Sequence, residues 1–92
     1  MLFIDIRSAA ETEEVAVEGA ELIPMSEILG GKVVLPKDKP ILLMCAVGMR
    51  SYGVGRFLEH QGYPEVYNLS GGIVAWEKEG LAVVKNKVYQ KK

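Results

Sequence analysis

Pro40-Ile41-Leu42-Leu43-Met44-Cys45-Ala46-Val47-Gly48-Met49-Arg50-Ser51-Tyr52-Gly53-Val54-Gly55-Arg56-Phe57-Leu58-Glu59-His60 reads as a strand, a six-residue loop and a helix in succession. Ile41 to Met44 is a short unbroken apolar run, the pattern of a strand covered on both faces. Cys45, the only cysteine, stands where that strand ends, and Arg50 and Ser51 stand where the helix begins. The helix is expected from Arg50 to about Gln61, with Val54, Phe57 and Leu58 as its buried stripe. Gly62 suits the position just past its end, and Pro64 prevents continuation. Gly53 and Gly55 weaken such a helix by about 1 kcal/mol each relative to alanine, so close packing against a sheet is expected there.

Upstream, Leu2 to Ile6 is rich in β-branched and aromatic residues and reads as a strand. Ser8 and Glu11 have capping-box spacing, which predicts a short helix from Ala9 to Glu14. Val15 to Ala20 is a connection without clear pattern. Leu22 and Ile23 suggest a very short strand ended by Pro24. Ser26 is the expected N-cap of a brief helix through Leu29, stopped by Gly30-Gly31. Residues 32–39 form a loop, with Val33, Val34 and Leu35 expected to fold back onto the core. Downstream, Val66 to Leu69 reads as a strand and Ser70-Gly71-Gly72 as a turn. Ile73, Val74 and Trp76 lie on a short helix closed by Gly80. Leu81 to Val84 fits an edge strand or an extended exit. Strands alternating with helices predict an α/β domain with a mainly parallel sheet of about four to five strands flanked by helices. Ligands of such sheets bind beyond the carboxyl ends of strands, where Cys45 stands.

The 92 residues make one small domain, expected over residues 1–84 with a basic tail at 85–92. One cysteine cannot form an intrachain disulfide, which fits a reducing compartment. The N-terminus carries no basic leader, and no stretch approaches the roughly 20 apolar residues of a membrane span. A cytoplasmic monomer without membrane contact is expected. The net charge of −1 conceals an asymmetry. Residues 85–92 carry four lysines and no acid, which leaves 7 basic against 12 acidic residues before them. From Ser8 to Glu27 there are six glutamates and no Lys or Arg. This segment reads as a solvated acidic face, with a docking face for a basic partner as the sharper alternative. No basic stripe with interleaved aromatics exists, so nucleic-acid binding is not expected.

Cys45-Ala46-Val47-Gly48-Met49-Arg50 has the form Cys-x-x-Gly-x-Arg. A thiolate is the nucleophilic form of cysteine. Converging amides of Ala46, Val47, Gly48, Met49, Arg50 and Ser51, a helix N-terminus and the planar guanidinium of Arg50 would all stabilise it. Gly48 allows the loop to bend with positive φ. Ser51 is placed to cap the helix or donate to the sulfur. The only histidine, His60, lies ten positions after Arg50 on the same helix, about 15 Å along its axis. It reads as a surface residue, which disfavours a Cys-His hydrolase. One Cys and one His do not make a metal site, and no cofactor is called for. The chemistry that remains needs a thiolate and an anion cradle but no base. Attack on the sulfane sulfur of an anionic donor fits, because sulfite leaves without being protonated. A buried structural thiol is the bland alternative.

Over nearly its whole length the chain resembles the rhodanese (thiosulfate:cyanide sulfurtransferase) family in its single-domain form. The resemblance rests on Asp5-Ile6-Arg7, on Gly19-Ala20 with Ile23-Pro24-Met25, and on the loop Cys45 to Ser51. Gly62-Tyr63, Val66 to Leu69, Gly71 to Trp76 and Gly80-Leu81 complete it. The resemblance implies a compact sheet of about five strands and a ping-pong cycle through a Cys45 persulfide. It implies that Arg50 binds the donor anion and that the amides of Ala46 to Ser51 form the cradle. Asp5 and Arg7 fall near the site, as a structural ion pair rather than substrate ligands. The acceptor would be cyanide in the laboratory. In the cell it would be a thiol or a protein, thioredoxin-like or part of a sulfur relay. Two departures stand out. Val15-Ala16-Val17 replaces the family's Gly-His before an apolar residue. The chain also starts almost directly at the Asp-x-Arg strand, as a trimmed domain or a minimal subtype would. Rhodanese-fold phosphatases and arsenate reductases usually have five residues between Cys and Arg; here there are four. A non-catalytic binding module is the remaining alternative.

Overall fold

A computed structural model describes residues 1–85. The elements are β1 (Leu2–Asp5), α1 (Ala9–Glu14), β2 (Val15–Ala16), β3 (Glu21–Leu22), α2 (Met25–Leu29), β4 (Ile41–Met44), α3 (Met49–His60), β5 (Val66–Asn68), α4 (Gly72–Lys78) and β6 (Val84–Lys85). Four strands form one sheet in the order β3-β1-β4-β5, every pair parallel. β2 and β6 form a separate antiparallel pair.

Successive side chains on a strand point to opposite faces, and β4 is buried on both. Ile41, Leu43 and Cys45 join Ile4, Ile6, Ile28, Val54 and Leu58 in one cluster. Met44 points the other way, into a smaller cluster with Val17, Ile73, Phe3 and Trp76. The unbroken apolar run of the sequence is therefore two interleaved half-runs. The parity also fixes the cysteine: it shares the face of Leu43, on which α3 packs.

Several local expectations need correction. β1 ends at Asp5 rather than Ile6, although Ile6 N–H still donates to Met44 O. The segment 15–20 is partly a strand, and Ala16 and Val17 are buried. α2 is entered from Pro24 with no side-chain cap, so Ser26 lies inside the helix rather than at its start. Proline's fixed φ pre-sets that entry. Val33 packs on the core and Leu35 is buried, but Val34 is exposed. α3 begins at Met49, which shortens the expected loop to Cys45–Gly48. Close packing does not explain Gly53, whose missing Cβ would meet nothing within 4 Å. At Gly55 an added Cβ would lie 3.6 Å from Val66 and 3.7 Å from Leu43, ordinary contact distances. The capping box at Ser8 forms as the spacing predicts. Lys85 belongs to β6; the rest of the expected basic tail lies outside the described residues. Among the described residues no helix is long and apolar enough to cross a membrane.

Candidate active site

Cys45 sits at the carboxyl end of β4, against the first turn of α3. The turn between them is made by Gly48, whose φ of 96° is a left-handed conformation that side chains rarely adopt. A Cβ there would also approach Gly71 N to 3.1 Å, so both backbone and space call for glycine. This geometry turns the amides inward. Cys45 Sγ accepts hydrogen bonds from Gly48 N–H at 3.1 Å, Ser51 N–H at 3.4 Å and the Ser51 hydroxyl at 3.3 Å. The Ser51 amide is one of the N–H groups that a helix leaves unpaired in its first turn. Here its partner is the sulfur.

Cys45 is 1% exposed and burial, the largest single influence, pushes its thiol up. The Ser51 hydroxyl, the Ser51 amide and the amides of Gly48 and Val47 outweigh that effect, and the net pKa lies below the ordinary 9.0. Hydrogen bonds donated to the anion favour it over the neutral thiol. The thiolate is thus favoured without a neighbouring base; His60 is exposed at the far end of α3.

Two residues that the sequence did not single out complete the loop. Asn68, at the end of β5, donates through Nδ2 to Gly48 O at 3.1 Å and accepts the Ser51 hydroxyl on Oδ1. Ser51 has one hydroxyl proton and two acceptors for it, Asn68 Oδ1 and Cys45 Sγ. Ionising the thiol therefore draws that proton toward sulfur. Gly72, at the start of α4, lies so close to the loop that a Cβ would fall 2.3 Å from Cys45 O and 2.4 Å from Ala46 O. The approach lets Ile73 N–H and Val74 N–H donate to Cys45 O and Ala46 O at 3.0 and 3.1 Å. The loop's carbonyls are held from behind while its amides face the sulfur. The signal for both residues was position: Asn68 ends the strand beside β4, and the second of two paired glycines opens α4.

Arg50 lies in the first turn of α3, and its fork is already engaged. Nη1 and Nη2 donate to the two carboxylate oxygens of Glu11, each at 2.9 Å. Ala46 is half-buried, whereas Val47 and Met49 are exposed at the loop rim. Asp5 and Arg7 do not join this cluster. Their side chains, 3% exposed, bind each other through Arg7 Nε and Nη2, and Nη2 also donates to Val15 O at 2.7 Å. The pair braces the end of β1 against the start of β2.

Comparison with known proteins agrees with this geometry. The sequence pattern of the rhodanese-like domain matches residues 1–79. A sulfurtransferase of Allochromatium vinosum is 39% identical over 84 residues, covering 91% of this chain and 78% of that protein. The thiosulfate sulfurtransferase GlpE of Pseudoalteromonas translucida is 31% identical over 77 residues, covering 84% of this chain and 73% of that one. The crystal structure of a rhodanese-related protein from Thermoplasma volcanium superposes with a TM-score of 0.80 at 32% identity, over 89% of this chain and 81% of that one. The four-stranded parallel sheet, the Cys-to-Arg loop at its carboxyl edge and these relatives agree on one conclusion: the chain belongs to the rhodanese-like domain family.

Proposed function

We propose that the protein is a sulfurtransferase that carries sulfane sulfur as a persulfide on Cys45. The observation that carries this reading is the sulfur cradle, in which three donors converge on Sγ with no base among them. In the first half-reaction the Cys45 thiolate attacks the outer sulfur of a donor such as thiosulfate. A bond forms between Sγ and that sulfur, the donor's S–S bond breaks, and sulfite leaves with the electron pair. No proton moves. In the second half-reaction an acceptor thiolate or cyanide takes the outer sulfur and the Cys45 thiolate returns. Of the amides expected from Ala46 to Ser51, those of Gly48 and Ser51, with Val47, hold the negative charge of thiolate and persulfide alike, and Arg50 offers a charge to an anionic donor. Sulfurtransferase relatives support the class of reaction, and a reducing compartment such as the cytoplasm would keep the lone thiol available.

The test is the mass of the intact protein after incubation with thiosulfate or another sulfane donor. The expected result is a gain of one sulfur atom, removed by an added thiol and absent in Cys45→Ser. No gain with any donor would refute the reading. It would favour the binding-module alternative, to which the near-complete burial of Cys45 also lends weight. Turnover of an aryl phosphate would instead revive the phosphatase alternative, although the gap between Cys45 and Arg50 is short for that chemistry.

A further inference from the structure

Arg50 is a cation in the first turn of the helix that follows the loop, yet one paired edge of its guanidinium is filled. Both terminal nitrogens pair in parallel with Glu11, the bidentate geometry in which arginine recognises a carboxylate most strongly. Glu11 is also held from its own helix. Its Oε1 also accepts from Ser8 N–H at 3.1 Å and from the Ser8 hydroxyl at 3.2 Å, which ties it to the N-terminus of α1. The surroundings add no compensating cation from the same segment. Glu13 and Glu14 follow on α1 and are exposed, and no Lys or Arg occurs between Ser8 and Glu27. The capping box itself does not need the charge on Glu11, because glutamine also serves at that position.

We propose that Glu11 is a specificity-determining residue. By occupying the Arg50 fork it disfavours small oxyanion donors and favours persulfide donors, R–S–SH, whose sulfane sulfur bears no oxyanion group. This rests on the persulfide chemistry proposed for Cys45. With such a donor the Cys45 thiolate bonds to the outer sulfur, the R–S–SH disulfur bond breaks, and R–S⁻ leaves with the electron pair. The product is Cys45–S–SH. The leaving group carries one negative charge where sulfite carries two, so the step has less need of a free guanidinium. A thiosulfate dianion must instead share a guanidinium whose paired edge is taken and whose charge is already countered by a carboxylate, with only its remaining N–H groups to offer.

The experiment compares alkylation of Cys45 by anionic iodoacetate with alkylation by neutral iodoacetamide at one pH. The ratio of the two rates cancels any change in the thiol's ionisation and reports only the preference for an anion. In Glu11→Gln the ratio is expected to rise by about threefold or more, and the rise should shrink with added salt. The Michaelis constant for thiosulfate should fall in the same variant, with little change for cysteine persulfide. An unchanged or lower ratio would overturn the proposal, the latter by showing that Glu11 merely props Arg50 in place. So would an equal rise when Glu11→Gln is made in an Arg50→Gln background, since Glu11 would then act by its own charge and not through the fork. Failure of sulfur loading on wild-type protein would refute the parent function, and the alkylation ratio would still read the role of Glu11.

Discussion

The Cys45 thiolate is favoured by geometry that a few atoms control. Its thiol is pushed up by burial and pulled further down by donors, of which the Ser51 hydroxyl is the strongest. Removing that hydroxyl in Ser51→Ala leaves burial less opposed. The pH profile of iodoacetamide alkylation should give the wild-type thiol a pKa below 9.0, and Ser51→Ala should move it upward with a several-fold slower reaction at neutral pH. An unmoved profile would show that the amides alone hold the thiolate. The sign of the linkage follows. A depressed folded pKa means that the folded state binds fewer protons than the unfolded one just below pH 9.0. The stabilisation is complete above that pH and is lost as pH falls through the folded pKa. Glu11 was the residue hardest to find from sequence. Its capping role was visible in Ser-x-x-Glu spacing, but its partner lies 39 positions away and no local pattern links them.

At the scale of elements, two helix starts grip the same loop from opposite sides. The first turn of α3 presents amides to the sulfur, and the first turn of α4 holds the carbonyls of Cys45 and Ala46. Periodicity revealed both helices, because an apolar stripe survives any packing detail. It did not reveal β2, whose two residues have no period to read, and it left β6 open between an edge strand and an extended exit. Nor did it show why Ser26 yields its capping role to Pro24, which depends on how the chain leaves β3. The brace at the end of β1 is a prediction at this scale. Asp5 and Arg7 share a nearly dry environment, so Asp5→Asn strands a buried guanidinium and should cost about 3–5 kcal/mol. Replacing both by apolar residues, as in Asp5→Leu with Arg7→Met, should cost less than the single change. Urea unfolding measures both. A single variant as stable as wild type would show that water reaches Arg7.

For the whole molecule, the parallel sheet and the placing of the cysteine at its carboxyl edge were legible because β4 announces itself: a continuous apolar run ending in a thiol, a bend and a cation. The order β3-β1-β4-β5 was not, since register and neighbours are decided by contacts that run across the chain. Global stability should carry the mark of one surface pair. Arg50, with help from Ser8 and against the effect of burial, holds the Glu11 carboxyl at about 2 instead of 4.5. The stabilisation is therefore present above pH 4.5 and is lost as pH falls toward about 2. Because both side chains are more than a third exposed, screening reduces its worth to about 0.5–1 kcal/mol. Urea unfolding of wild type and Glu11→Gln should differ by that amount at neutral pH and converge in acid. A difference that stays constant with pH would assign the loss to something other than the ion pair.

The antiparallel pairing of Val15–Ala16 with Val84–Lys85 joins two segments nearly the full described length apart. During folding β1, β4 and β5 can pair before β2 and β6, the more distant segments, meet. In that interval the cluster of Val17, Met44 and Ile73 lacks the cover of Val83, and β2 offers an unpaired edge. The folding chain can thus gather every part of its sulfur cradle before it closes, and the late meeting of β2 with β6 decides when it stops being sticky.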